Sequence, residues 1–89
     1  MKRTAQIGDR VVRLGIMNTV FDLTITRRTE KTIATVLTGS TSRMDERLDP
    51  RQFRFYDEAK VKRMEELKQH IKELEADAVE IYQSLDEVI

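Results

Sequence analysis

The sequence predicts an α+β protein, in which a small antiparallel β-barrel or curled sheet of four to five strands precedes one long C-terminal α-helix. Three observations predict this class. Between residues 6 and 56, short runs rich in β-branched residues are separated by turn-forming residues. After Pro50 the chain contains neither glycine nor proline. The last third repeats apolar residues at alternating steps of three and four, which is the period of a helix with one apolar stripe.

The strand predictions follow the alternation of apolar and polar residues. In the second strand, Phe21, Leu23 and Ile25 alternate with polar residues, as in a half-buried strand. The polar stretch 27–31 predicts a hairpin connection, and the stretch 39–50 predicts a loop. Strands this short must bury their apolar face, so we expect a barrel or curled sheet. The expected strands are residues 11–14, 20–26, 32–38 and 53–55.

The helix is expected to begin near Asp57, whose carboxylate can accept hydrogen bonds from the unpaired amides of the first turn. The chain then divides into a β-barrel at residues 1–56 and a coiled-coil-like helix at residues 57–89. The apolar stripe of this helix is predicted to serve helix packing or dimerisation. It consists of Met64, Leu67, Ile71, Leu74, Ala78, Ile81, Leu85 and Val88. The sequence leaves three packing partners open for this stripe: a second copy of the chain in parallel or antiparallel orientation, the chain's own strands, or another protein.

Charge is divided unevenly along a chain whose formal net charge is zero. Residues 1–54 contain 11 Lys and Arg against 6 Asp and Glu, whereas residues 55–89 contain 5 against 10. Such halves can attract each other within a fold or bind separate partners. If most of the basic residues in the first half share one face, they are candidate contacts for an anion or a nucleic acid. These are Arg10, Arg13, Arg27, Arg28, Lys31, Arg43, Arg47, Arg51 and Arg54.

Residue types suited to catalysis and metal binding are scarce. His70 is the only histidine and cysteine is absent, which excludes two-histidine and thiolate metal sites within one chain. The sequence contains no Gly-x-Ser-x-Gly turn and no glycine-rich phosphate loop. We therefore expect no enzyme, no catalytic residue, no cofactor, no metal and no small-molecule substrate.

The sequence also indicates in which cellular compartment the protein is expected. No segment approaches the roughly 20 apolar residues that a membrane-spanning helix needs, and the N-terminal residues do not lead into an apolar signal segment. The absence of cysteine suits a reducing compartment. We expect a cytoplasmic protein without membrane contact.

The order of three motifs resembles that of a family of small β-barrels. These motifs are Ile7-Gly8-Asp9-Arg10-Val11, the stretch from Phe21 to Ile33, and Phe53-Arg54-Phe55. They are similar to the Gly-Asp turn, the long hairpin and the aromatic-basic closing strand of Tudor-like or KOW-like barrels, which are common among short phage and bacterial proteins. The resemblance covers residues 6–56. It implies a phage or bacterial barrel that holds nucleic acid, peptide or a host protein.

We therefore expect a non-enzymatic binding protein, phage-encoded and present in the host cytoplasm. It would act as an inhibitor or adaptor that occupies a surface of a host protein or protein–nucleic acid complex, such as a nuclease or a defence system. Two alternatives are open. One is a dimeric nucleic-acid-binding module that uses the Arg-rich barrel face, and the other is a phage structural or assembly component.

Overall fold

The computed structural model describes residues 2–15, 19–40, 42–70 and 75–89, without the side chains of residues 44–46, 68–70, 75 and 76. Within these residues two helices, α1 (Glu58–His70) and α2 (Glu75–Gln83), follow the sixth strand, and a 3-10 helix (Pro50–Gln52) precedes it. The chain is thus an α+β protein. Its strands are β1 (Lys2–Arg3), β2 (Arg10–Leu14), β3 (Val20–Arg28), β4 (Ile33–Leu37), β5 (Arg43–Leu48), β6 (Arg54–Phe55) and β7 (Glu87–Val88).

The described strands form one mixed sheet in the order β1-β7-β6-β2-β3-β4-β5. All neighbours are antiparallel except β1 and β7, which run parallel. The sheet therefore has seven strands in place of the predicted four to five. Strand β5 occupies a stretch that we expected to be a loop, because four of its six residues are charged. An edge strand tolerates such residues, since only one of its sides pairs with a neighbour.

The sheet curls around a hydrophobic core. Strands β3 and β7 are separated by two strands in the sheet order, yet Arg28 at the end of β3 hydrogen-bonds to the main-chain oxygen of Ile89, beside β7. This contact requires the two parts of the sheet to bend toward each other. The buried residues inside the curl are Ala5, Val11, Leu23, Ile25, Ile33, Phe53, Phe55 and Val88.

The C-terminal third forms a helical hairpin. Asp57 accepts a hydrogen bond from the backbone amide of Lys60 and caps α1, as predicted. The ammonium group of Lys60 also lies 3.2 Å from the main-chain oxygen of Ser84, so α2 returns beside the start of α1. The structure corrects the prediction of a single helix over residues 57–89, because α2 ends at Gln83 and the chain then joins the sheet as β7. Neither helix has the length or apolar composition needed to cross a membrane.

The helical hairpin buries its apolar side against the outer face of the sheet. Met64 is 0% exposed, and it packs with Leu67 and Ala78 in a second hydrophobic cluster. The cluster contains no described residue of β4 or β5. Its sheet residues are Val12, Leu14 and Val20, from β2 and the start of β3.

The remaining residues of the predicted stripe have different positions. Leu85 is buried in the cluster under the helices, and Ile81 packs against it, but Val88 belongs to the core inside the curl. Ile71 and Leu74 lie outside the described residues. The chain's own strands and helices therefore cover those members of the stripe that the structure describes. Dimerisation and the division into two domains stay predictions.

Candidate functional site

A β-bulge near the end of β3 places two neighbouring arginines on opposite faces of the sheet. Ile25 pairs with Thr35, and both are buried on the inner side. The next pair is Arg27 with Ala34, so β3 advances two residues while β4 advances one. The alternation of faces along β3 shifts by one residue as a result. Arg27 therefore lies on the outer face and Arg28 on the inner face.

On the outer face, Arg27 and Arg47 line a pocket of about 260 Å³, here termed the arginine pocket. Its other lining residues are Thr29, Thr32 and Ala34. Both arginines are exposed, and neither forms a hydrogen bond or an ion pair with a residue that the structure describes. No described carboxylate lines the pocket. The two guanidinium groups therefore keep their donors for water or for an approaching anion.

The hairpin between β3 and β4 fixes one edge of the arginine pocket. The amide of Thr29 donates to the main-chain oxygen of Thr32 at 3.0 Å. The amide of Thr32 donates in return to the hydroxyl of Thr29 at 3.0 Å, and the two hydroxyl groups lie 2.6 Å apart. Because these threonines bond to each other, the pocket's side-chain donors without a described partner are those of the two arginines.

The outer face beside the arginine pocket is a polar surface that the cluster under the helices does not include. Thr24 and Thr38 bond through their hydroxyl groups at 3.0 Å, and Thr38 donates to the carboxylate of Asp22 at 2.8 Å. Val36 is half-buried on the same face, opposite Thr24. This surface extends the arginine pocket with hydroxyl groups and small apolar side chains.

Arg10 also lies on the outer face but is engaged within the chain. Its Nε donates to the carboxylate of Asp22 at 2.8 Å, and its guanidinium carbon lies 3.7 Å from the centre of the Tyr56 ring. The hydrogen bond to Asp22 raises the pKa of Arg10. Burial favours the neutral form of Asp22, but hydrogen bonds from Arg10 and Thr38 outweigh it and hold the pKa of Asp22 below its ordinary value. Arg10 therefore serves the fold.

On the inner side, a cleft of about 410 Å³ opens where the end of β3 meets β7. We term it the seam cleft. Phe53 and Val88, both buried in the core, supply part of its apolar wall. Four basic and three acidic side chains line it. These are Lys2, Arg28, Arg51 and Arg54 against Glu30, Asp49 and Glu87.

Three of the four basic residues in the seam cleft are paired with carboxylates. Arg51 donates to Asp49 through Nε at 3.2 Å. Arg54 lies 3.5 Å from Glu87 and donates to two main-chain oxygens near the end of α2. Lys2 lies 3.9 Å from the same carboxylate. These contacts join the two sides of the seam and use most of the positive charge there.

Arg28, the fourth basic residue of the seam cleft, contacts the last residue of the sequence and no acidic side chain that the structure describes. Its Nη2 donates to the main-chain oxygen of Ile89. Its Nη1 is buried and has no hydrogen-bond partner among the described residues. Glu30, at the hairpin, also lines the cleft and forms no ion pair with a described residue. The cleft therefore holds a guanidinium group whose hydrogen-bonding capacity is only partly used.

The nine predicted basic residues do not gather on one face. Two line the arginine pocket, Arg27 and Arg47. Three line the seam cleft, Arg28, Arg51 and Arg54. The other four lie in neither site: Arg10, Arg13, Lys31 and Arg43. The nucleic-acid alternative requires these residues on a common surface. The bulge and the curl instead distribute them over different parts of the sheet.

Several lining residues were not among the sequence-based candidates. Lys2 and Glu30 line the seam cleft, although they are far apart in the sequence and approach only because the sheet curls. Thr29 and Thr32 line the arginine pocket. The polar stretch that contains them predicts a turn, but polar turns occur in most hairpins and do not by themselves indicate a site.

Comparison with protein-family models, with curated proteins and with solved structures finds no match to this chain. The resemblance to Tudor-like or KOW-like barrels therefore stays a prediction. Among the described residues, no three His, Cys, Asp or Glu side chains are grouped so that they could hold a metal ion.

Proposed function

We propose that the chain is a non-enzymatic binding protein that occupies an acidic surface of a larger protein or protein complex through the arginine pocket and the adjoining outer face of β3 and β4. The observation that supports this proposal is the pair Arg27 and Arg47. Both are exposed and without an ion pair to a described residue, and no described carboxylate lines their pocket. An inhibitor or adaptor of a host complex, the phage-encoded class expected from the sequence, would act through a surface of this kind.

The chemistry of arginine favours a protein partner with clustered carboxylates. A guanidinium group presents donors in a planar fork that fits a carboxylate through two parallel hydrogen bonds. It is also weakly hydrated compared with an ammonium group, and arginine is enriched in protein interfaces. The hydroxyl groups of Thr24 and Thr38 and the half-buried Val36 supply a mixed polar and apolar surface beside it. Contacts of this mixture are typical of non-obligate interfaces.

The test is copurification from host lysate with tagged wild-type chain and two double variants. Arg27→Gln with Arg47→Gln removes both cations of the arginine pocket. Lys62→Gln with Arg63→Gln removes the same charge from the exposed side of α1. We expect a partner, identified by mass, that the wild type and the helix variant retain and the pocket variant loses. Equal capture by all three proteins would contradict the proposal.

A nucleic-acid partner is the second candidate, because arginines without a described carboxylate partner also suit a phosphate backbone. The described pocket contains no aromatic side chain on which a base could stack, which disfavours single strands. Titration of labelled duplex and single strands at two salt concentrations distinguishes the candidates. Duplex binding that weakens steeply with salt and is lost in the Arg27→Gln, Arg47→Gln variant would favour nucleic acid. Absence of binding at low salt would remove this candidate.

A further inference from the structure

A further pocket, of about 300 Å³, lies where the loop between β1 and β2 meets the end of β6. We term it the stacking pocket, and it shares no lining residue with the arginine pocket or the seam cleft. We propose that it binds a guanine base against two arginine planes. The site is independent of the macromolecular partner proposed above. Its lining residues are Arg3, Thr4, Asp9, Arg10, Phe55 and Tyr56.

Two guanidinium groups in the stacking pocket lie over aromatic rings. The guanidinium carbon of Arg3 lies 4.0 Å from the centre of the Phe55 ring, and that of Arg10 lies 3.7 Å from the centre of the Tyr56 ring. Cation–π attraction holds the planar groups against the rings at these distances. Both arginine side chains stay partly exposed, at 53% and 45%. A guanidinium plane that rests on a ring with one face can stack on a nucleobase with the other.

The edges of both guanidinium groups are already paired with carboxylates. Nε of Arg3 lies 3.1 Å from the carboxylate of Asp86, and Nε of Arg10 donates to Asp22 at 2.8 Å. An anionic ligand would have to compete with these carboxylates, so the pocket does not favour a phosphate or a carboxylate. The two arginines instead offer planar cationic faces, which attract a neutral, electron-rich ring.

The polar side chains of the stacking pocket select the ring. The carboxylate of Asp9 accepts one hydrogen bond, from the amide of Gln6 at 2.9 Å, and has no other partner among the described residues. An ionised carboxylate accepts about four hydrogen bonds, so Asp9 retains acceptors for two neighbouring N–H donors. The hydroxyl group of Thr4, also without a partner among the residues that the structure describes, supplies a donor.

Guanine is the base that matches this set of groups. Its Watson–Crick edge carries two adjacent N–H donors beside a carbonyl oxygen, which suit the carboxylate of Asp9 and the hydroxyl group of Thr4. The other common bases present one donor position on this edge, next to an acceptor that a carboxylate repels. The volume of about 300 Å³ lies at the lower end of the roughly 300–1,000 Å³ of small-molecule sites and suits one bicyclic base.

The experiment is a titration of the 89-residue chain with the monophosphates of guanosine, inosine and adenosine, followed by two-dimensional 15N–1H NMR. The three nucleotides share ribose and phosphate, the inosine nucleotide lacks the exocyclic amino group of guanine, and ribose phosphate lacks the base.

Three variants accompany the titration. Arg3→Gln removes one guanidinium plane. Lys2→Gln is the matched control, because it removes the neighbouring cation of β1, which is also paired with an acidic side chain but does not line the pocket. Asp9→Asn removes the carboxylate but keeps an oxygen that can accept from the amide of Gln6.

We expect saturable shifts of the amides of Thr4 and Asp9 and of the Nε–H signal of Arg3 with the guanosine nucleotide, at a dissociation constant on the order of 1 mM. The adenosine nucleotide should bind about tenfold more weakly, as expected for loss of a hydrogen bond to a charged group, and the inosine nucleotide should lie between them. Asp9→Asn should abolish this preference. Arg3→Gln should weaken binding of all three nucleotides about fivefold through loss of stacking, whereas Lys2→Gln should leave it unchanged.

A guanine base can come from a free nucleotide or from an unpaired position in a nucleic acid. Two single-stranded pentanucleotides of thymidine, one of them with a central guanine, distinguish these sources. Tighter binding of the guanine strand than of the guanosine nucleotide would assign a nucleic acid, and the reverse would assign a free nucleotide. Both results support a guanine site.

The comparison among nucleotides uses the wild-type chain, so it does not depend on the folding of any variant. The proposal would be overturned if neither the guanosine nucleotide nor the guanine strand gave saturable shifts. Equal binding of the adenosine nucleotide, of ribose phosphate or of the all-thymidine strand would overturn it as well. So would an unchanged preference in folded Asp9→Asn, or equal effects of Arg3→Gln and Lys2→Gln.

Discussion

The arginine pocket and the seam cleft lie on opposite sides of the same sheet, around the neighbouring residues Arg27 and Arg28. In the arginine pocket, no described carboxylate lies beside the two exposed guanidinium groups. In the seam cleft, three of four cations are paired with acidic side chains, and the fourth, Arg28, donates to the main-chain oxygen of Ile89. On our proposal, a basic residue in this chain serves either the fold or an anionic ligand, according to whether a counter-charge lies within reach. Position in the sequence does not distinguish the two roles.

The contrast between the arginine pocket and the seam cleft assumes that the helical hairpin packs on the outer face of the sheet and folds with it as one unit. Met64→Asp places a charge in the cluster under the helices, where Met64 is fully buried. We expect a loss on the order of 4 kcal/mol or more in the free energy of unfolding, which approaches the whole stability of a domain of this size. Circular dichroism should show an unfolded chain. Met64→Leu, which conserves volume, is the control and should remain folded; a folded Met64→Asp monomer would contradict the packing described.

We expect an arginine that is paired with a carboxylate to contribute to the free energy of unfolding. The side chain of Arg54 is 19% exposed, and it joins β6 to Glu87 and to the end of α2. Arg54→Ala would leave two main-chain oxygens without this donor, so we expect a loss of about 1–3 kcal/mol in the free energy of unfolding by urea. An unchanged urea midpoint would mean that pairing across the seam does not stabilise the fold.

The outer-face pair of Arg10 and Asp22 should give a smaller, pH-dependent contribution. The pKa of Asp22 is lower in the folded chain, so its contribution is complete above the unfolded pKa of about 3.9 and is lost as the pH falls through the folded value. The Arg10 side chain is 45% exposed, which limits the contribution to less than about 1 kcal/mol. We expect Asp22→Asn to narrow the difference in unfolding free energy between neutral pH and about pH 3. If Asp22→Asn leaves this difference in unfolding free energy unchanged, Asp22 is excluded as a source of the pH dependence of stability.

The unpaired arginines should have the smallest effect on stability. Arg27→Gln and Arg47→Gln remove exposed groups that form no ion pair with a described residue. Each should change the free energy of unfolding by less than about 0.5 kcal/mol in the same urea experiment. A loss as large as that of Arg54→Ala would show that these residues serve the fold after all.

The alternation of Phe21, Leu23 and Ile25 predicts β3 correctly, because the period of a half-buried strand is a local property. The same alternation continued past Ile25 would turn Arg27 inward and Arg28 outward. The bulge reverses this, and it arises from pairing with β4, which no local pattern reveals. The sites on either side of β3 could therefore not be assigned from the sequence.

The C-terminal stripe shows a second limit of local patterns. Leu85 and Val88 continue the helical spacing of the residues before them, and no glycine or proline interrupts the segment. In the structure Leu85 is buried after the end of α2, and Val88 is buried as a strand residue. An apolar residue needs burial, and a turn or a strand provides it as well as a helix does. The return of α2 beside the start of α1 and the pairing of β7 with β1 and β6 exclude the continuous helix.

The arginine pocket is tested as a binding surface most directly by mapping an acidic probe on the surface of the 89-residue chain. Hexaglutamate is added to the 15N-labelled protein at low salt, and amide shifts are followed in the wild type and in the Arg27→Gln, Arg47→Gln variant. We predict shifts concentrated at residues 26–34 and at Arg47 in the wild type, and their loss in the variant. Shifts spread over all basic residues, or an unchanged pattern in the variant, would contradict the assignment of the arginine pocket as the binding surface.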